Sequence, residues 1–315
     1  MSLTSTEQLD QNRSEVPTQA VTNTPYGNLI AKCLATRQQF TLPQWSTLNE
    51  RYGILAAESI GVKNGGDFVM KYFTIGIRGW DCDGKNIFGG SKPKLNQHQP
   101  IDMNLFAPIP FACRPLTADF NDFERSKYRM RTVEDVDGVA YAFYWIKLAS
   151  FLKYNPQVNK ITRDENGNET PVPYVPKKDD LFNPQPLDFT SEGSVPVSNT
   201  YINSSAIYDC SLSQADLLEV ANACRIRWGD ASLASISESA MVWGIDTKAD
   251  GQVGQGAVIR YDEILSAVIA HHITERDGRS ALNNVGVNLA FDHGASEPML
   301  LHATATATVQ QEGNV

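Results

Sequence analysis

Residues 67–80, DFVMKYFTIGIRGW, constrain the fold more than any other segment, because a strand here carries apolar side chains on both faces. Phe68, Met70, Tyr72 and Thr74 fall on one face. Val69, Phe73, Ile75 and Ile77 fall on the other, with Lys71 the single charge among them. A strand buried on two sides needs cover from two directions, so the chain must build layers around it. Gly76 within the run marks a bulge or a close backbone approach.

Several segments offer that cover. Leu29, Ile30, Cys33 and Leu34 recur at helical spacing and predict a short amphipathic helix within residues 26–40. Thr41 and Gln44 spell a capping box, with Pro43 in the first turn and Gly53 as a stop. The helix so predicted turns Leu42, Trp45 and Leu48 toward a sheet. Ser213 with Asp216 caps a helix over residues 214–227 that faces Leu217, Leu218, Ala221 and Cys224 inward and ends at Gly229. Residues 261–276 carry Ile264, Leu265, Val268 and Ile269 as a helical stripe.

Strands are expected at 125–133 and 139–148 around an acidic turn at 134–138 containing Asp137-Gly138. A polar hairpin over 156–174 projects an Asn166-Gly167 tip, and six prolines between Pro171 and Pro196 stiffen a strap that cannot sit inside a sheet. The C-terminal part returns to strand at 287–291 and 299–309. This order predicts an α+β, β-rich mixed architecture with a few short helices, extended arms and loops. Its expected parts are a flexible polar arm at 1–24, a core lobe at 25–155, the hairpin and strap at 156–196, and a second lobe at 197–315.

At 315 residues with 42% hydrophobic content, the chain can bury a sizeable core. A net charge of −9 disfavours a nucleic-acid partner, which requires clustered Lys and Arg. Five dispersed cysteines without a CxxC pair read as reduced, mostly buried thiols. The N-terminal sequence lacks a leader pattern and no run of about 18 apolar residues occurs, so neither export nor membrane insertion is expected.

Catalytic and ligand patterns fail one by one. There is no GxxxxGK[ST], and Gly251, Gly254 and Gly256 have the wrong spacing for a dinucleotide turn. Asp81, Asp83 and Gly84 open like a calcium loop but lack the first acidic ligand and the closing glutamate. His271 and Glu275 would share a helix face, yet no third metal ligand is placed by spacing, and Asp292-His293 has no nucleophile motif beside it. Asp119, Asp122 and Glu124, or Asp262 and Glu263, read as surface or helix-start acids rather than a glycosidase pair. No catalytic residue, metal ligand, cofactor or small-molecule substrate is therefore assigned. Arg125, Lys127, Arg129 and Arg131 would line one face of a strand as a basic ladder for an acidic partner; a solvated face balanced by Glu134, Asp135 and Asp137 is the plainer reading.

The last residues, HATATATV at 302–309, alternate small apolar residues with Thr304, Thr306 and Thr308, and no Lys or Arg follows Arg279. An edge so undefended suits strand addition to a neighbouring subunit. With the polar arm and the irregular straps NLFAPIPFACRPLTADF and PKKDDLFNPQPLDF, this organisation resembles tailed-phage virion proteins of the neck, tail or baseplate. The resemblance implies a non-enzymatic structural component of a virion, made in the host cytoplasm and partnered by copies of itself and other virion proteins. A particle-associated hydrolase and a carbohydrate-binding module presenting Trp80, Trp145, Trp228 or Trp243 are the alternatives.

Overall fold

A computed structural model describes residues 19–54, 61–62, 68–85, 91–149, 156–164, 168–184, 197–253, 257–280 and 285–300. Among these residues the fold is β-rich and mixed, with several antiparallel sheets and five short helices. The chain divides into two compact units, each discontinuous in sequence. The first joins Met1–Ala149 to Cys210–Leu289, and the second joins Ser150–Asp209 to Ala290–Val315. This redistributes the expected lobes: residues 210–289 complete the first unit. Pairing between segments so distant along the chain leaves no local mark, which is why the boundary at 155 and 197 was misplaced.

The first unit is built on an eight-stranded sheet with the order β1-β15-β14-β4-β10-β8, β7 pairing β4 and β9 pairing β10. Its strands are β1 (Gln19–Asn23), β4 (Val69–Gly76), β7 (Pro108–Ile109), β8 (Ala112–Pro115), β9 (Tyr128–Val136), β10 (Val139–Leu148), β14 (Ser235–Val253) and β15 (Ala257–Ser280). β4 is the two-faced strand the sequence predicts, buried continuously from Tyr72 to Gly76. At Gly76 a side chain would run into Glu238 Oε2 and stand 2.8 Å from the Ala107 carbonyl, so the expected close approach is real. The β9–β10 hairpin turns on Asp137 (φ 52°) and Gly138 (φ 80°) alone, with Val136 opposite Val139.

The largest departure from expectation is β15. Residues 261–276 form no helix but the middle of a 24-residue strand paired with β1 and β14. Almost every side chain from Glu263 to Thr274 is buried, so neither face shows a polar period, and the apolar run mimics a helical stripe. Val268 meets Ile30, Leu42 and Phe68 on one side, while Ile264, Ala267 and Ile269 join Tyr72, Phe143, Trp145 and Val242 in the main core.

Helix α1 (Pro25–Thr36) starts the layer over β15. Thr24 caps it, accepting from Gly27 N–H at 3.0 Å, and Pro25 occupies the first turn. Thr24 and the strand residues 19–23 replace the end of the arm expected to be flexible; the remainder of that arm, 1–18, lies outside the described residues. The predicted 41–53 helix is two pieces, a 3-10 turn at Gln44–Ser46 and α2 (Leu48–Tyr52), ended by Gly53 at φ 63°. Thr41 belongs to a two-residue strand instead of capping. Leu42 and Leu48 are buried as expected, but Trp45 is 73% exposed. Helix α3 (Asp122–Arg125) is a single turn. Helix α5 (Gln214–Trp228) has the predicted Ser213–Asp216 capping box and Gly229 stop, and buries Leu217, Ala221 and Cys224. Leu218 faces solvent, its place inside taken by Val220 and Ala223.

The second unit holds a four-stranded sheet, β12-β11-β13-β16. Its strands are β11 (Gln157–Arg163), β12 (Glu169–Pro173), β13 (Val197–Asp209) and β16 (Ala290–Leu300), with α4 (Lys178–Phe182) following β12. The polar hairpin is thus the β11–β12 pair, and it is continued by β13.

Candidate functional site

The sheet of the second unit is the candidate site, because it is a sheet with almost nothing buried against it. Among its described side chains only Asn159, Ala206, Tyr208 and Phe291 are buried, the last three toward the ends of β13 and β16 nearest the first unit's sequence. Every residue of β12 is exposed, and Val158, Val172, Ile207 and Met299 present apolar surface to solvent. Beside the sheet, α4 exposes Leu181 (74%) and Phe182 (67%). The turn leading into α4 is well defined: Asp180 accepts from Lys177 N–H at 2.7 Å and from Tyr174 Oη at 2.9 Å, which holds its carboxyl below the ordinary range. Arg163 and Glu169 pair across the hairpin at 2.6 Å, and Asn168 N–H donates to Asp164 at 2.7 Å to close the tip.

The two edges of this sheet differ. β12 carries Pro171 and Pro173, which block a further strand. β16 carries Gly294 and Pro298 but no Lys or Arg along its outer edge.

A second element reaching past its neighbours is the far part of the β14–β15 pair. β4 pairs with β14 only from Glu238 to Gly244, and β1 with β15 only from His271 to Glu275. The two long strands nevertheless continue to pair out to Val253 and Ala257. Residues 245–253 thus extend about 30 Å beyond the flanking strands. The base of this ribbon is anchored: Asp246 accepts from Lys71 at 2.6 Å and from the Tyr72 hydroxyl, and lies 3.4 Å from Arg129. Burial works against the charge of Asp246, but these donors outweigh it and hold the carboxyl below its ordinary value.

The basic ladder is not present. Arg125 lies in α3, buried, with its guanidinium 3.4 Å from the centre of the Tyr261 ring. Met130 adopts a left-handed backbone (φ 58°), its N–H held by Glu263 at 3.0 Å, so alternation fails between Arg129 and Arg131. Arg129 is buried toward Asp246 and Asp262, and Arg131 pairs with Asp119 at 2.8 Å. Only Lys127 of the four is exposed. Their balancing acids are not those of the neighbouring turn but Asp119, Asp246 and Asp262. Asn166, Gly167, Thr304, Thr306 and Thr308 lie outside the described residues, as does the 302–309 segment.

Four of the five carboxylates weighed for catalysis are engaged individually. Asp119 accepts from Arg131 and from Tyr144 Oη at 2.7 Å, Glu124 closes a capping box with Asn121, Asp262 pairs with Lys248, and Glu263 binds backbone N–H groups. His271 and Glu275 are on a strand, about 13 Å apart along its axis, and not on one helix face. Trp145 is buried, donating to Thr132 at 2.8 Å, and Trp243 packs against the α1 layer, so neither is a sugar platform.

The acid–base cluster that does form joins residues no spacing rule connects. His98 Nε2 lies 3.1 Å from Glu238 Oε1 and its Nδ1 3.0 Å from Asp102 Oδ2. The His98 ring stacks between Phe106 at 3.8 Å and His272 at 3.9 Å. Glu238 also accepts Phe106 N–H at 2.9 Å and Ala107 N–H at 3.1 Å. Burial, reinforced by His98, lowers the His272 pKa to about 4. The side chains of His98 and Glu238 have no solvent exposure, and the cluster fixes the 96–107 loop on β14 and β15. Its participants, 140 residues apart, gave no sequence signal.

Four of the five cysteines are buried and all are free. No helix among the described residues is long and apolar enough to cross a membrane, and no three His, Cys, Asp or Glu side chains among them gather as a metal-binding group. No curated protein and no solved structure matches the chain. Residues 10–308, nearly the whole length, match the model described as a family of unknown function, and the chain belongs to that family, DUF7208.

Proposed function

We propose that this protein is a non-catalytic structural subunit that assembles with copies of itself and with other proteins, in the neck, tail or baseplate of a tailed-virus particle. The observation that carries the assembly reading is the second unit's sheet, whose exposed apolar residues on β11, β12, β13 and α4 have no cover among the described residues. A sheet gains stability by packing a face, and one left open in the isolated chain is completed by association. The β14–β15 ribbon supports the same reading, since a two-stranded ribbon reaching beyond its sheet is marginal in water and is stabilised by lying on a neighbour. The virion setting rests on the resemblance of the straps and polar arm to tailed-phage proteins.

Hydrogen exchange at low and high protein concentration tests the surface. The backbone amides of β11, β12 and α4 and the ribbon amides at 247–253 are expected to gain protection as concentration rises. Exchange at those amides that ignores concentration while the rest of the chain stays protected counts against this surface as the interface.

A further inference from the structure

β16 is the open edge of the second unit's sheet: among the described residues it pairs on one side only, with β13. Its stretch from Gly294 to Met299 is exposed without interruption and carries no Lys or Arg, the side chains that usually guard a free edge. The far edge, β12, is closed to a further strand by Pro171 and Pro173. A strand added to this sheet therefore joins it at β16. Gly294, Ala295 and Ser296 occupy the middle of that edge, and side chains so small let a second backbone come close.

We infer that β16 pairs antiparallel with β16 of a second copy of this chain, across a two-fold axis through Ala295. Turned end for end about Ala295, the strand sets Gly294 opposite Ser296 and His293 opposite Glu297, once on each side of the axis. An imidazole donates to a carboxylate, so both His293–Glu297 contacts are attractive. Moving the axis to Gly294 or to Ser296 sets Glu297 opposite Phe291 or Ala295 and loses both contacts. Pro298, which lacks an N–H, ends the ladder on either side. Ala295 also shares a face with Ser204 of β13 and Val158 of β11, so the pairing joins the exposed apolar faces of two copies in one continuous sheet. The inference rests on the assembly reading and gives one of its contacts a strand, a register and a symmetry.

Disulfide mapping on the intact chain tests the register. Across the axis the two Ala295 Cα atoms stand about 4.5–5.5 Å apart, within the reach of a disulfide, whereas the two Ser296 Cα atoms are about 8 Å apart and beyond it. Under mild oxidation Ala295→Cys should give a covalent dimer whose linked peptide, identified by mass spectrometry, joins 295 to 295, and Ser296→Cys should give no 296–296 link. The peptide must be mapped because Cys82 is exposed in every variant. Ala295→Lys sets two like charges face to face at an exposed position. It should raise the dissociation constant of the assembly at least about tenfold, with an unchanged circular dichroism spectrum. An assembly that forms without the 295–295 link, or that Ala295→Lys leaves intact, overturns the pairing while the exposed sheet face survives as a contact. An edge taken by a different protein or by the chain itself would give that same result. A link at 296 overturns the register, and a parent chain that stays monomeric at every concentration removes the pairing together with the assembly reading.

Discussion

Replacing Glu238 by alanine should cost the fold about 3–5 kcal/mol, because this carboxylate accepts two backbone N–H groups and partners His98 Nε2 in a sealed part of the core. Glu238 is 1% exposed. It receives Phe106 N–H at 2.9 Å, Ala107 N–H at 3.1 Å and contacts His98 Nε2 at 3.1 Å. Alanine strands two backbone donors and a ring nitrogen, each at about 1–3 kcal/mol, and relaxation of the 96–107 loop recovers part of the sum. Glutamine preserves the shape but keeps one oxygen only, so one backbone N–H faces an amide NH2; its expected cost is about 1–3 kcal/mol. Urea unfolding of the three proteins, fitted with a common slope, measures both differences. An alanine variant within about 1 kcal/mol of the parent, with an unchanged slope, would refute the claim that this carboxylate anchors the loop.

The His272 ring should make stability fall in mild acid. Its folded pKa of about 4 lies below its ordinary 6.5, so the unfolded chain takes up the proton first. The contribution is intact above pH 6.5 and is lost as pH drops toward 4, amounting to about 3 kcal/mol at roughly 1.4 kcal/mol per tenfold change in proton affinity. Unfolding curves between those pH values should show the loss in the parent and a shallower dependence in His272→Gln; equal slopes would count against a buried neutral His272. Gly27→Ala should destabilise by about 1–3 kcal/mol, since the added carbon would stand 2.7 Å from Ala270 Cα where α1 meets the β15 bulge. A thermal melt that leaves the variant unchanged would show that α1 can lift from the strand.

Local chemistry was legible where it acts locally. The Ser213–Asp216 box and Gly229 delimited α5, the Asp137-Gly138 step marked the β9–β10 turn, and the two apolar faces of 68–77 disclosed a strand covered on both sides. The same rule misled at 261–276: a strand buried on both faces loses its period of two, and Ile264, Leu265, Val268 and Ile269 then match a helix by coincidence. The basic ladder was misread because one left-handed residue, Met130, is enough to break alternation, and what holds it there is a carboxylate 133 residues away. The His98–Glu238 and Asp246–Arg129 pairs belong to the same class. They arise from tertiary placement, and no spacing along the chain encodes them.

Light scattering of the purified intact chain across a concentration series tests the assembly reading most directly. The account predicts a defined oligomer, with a mass that is a whole multiple of 34.7 kDa and that dissociates on dilution. A particle of 34.7 kDa at every concentration would contradict it.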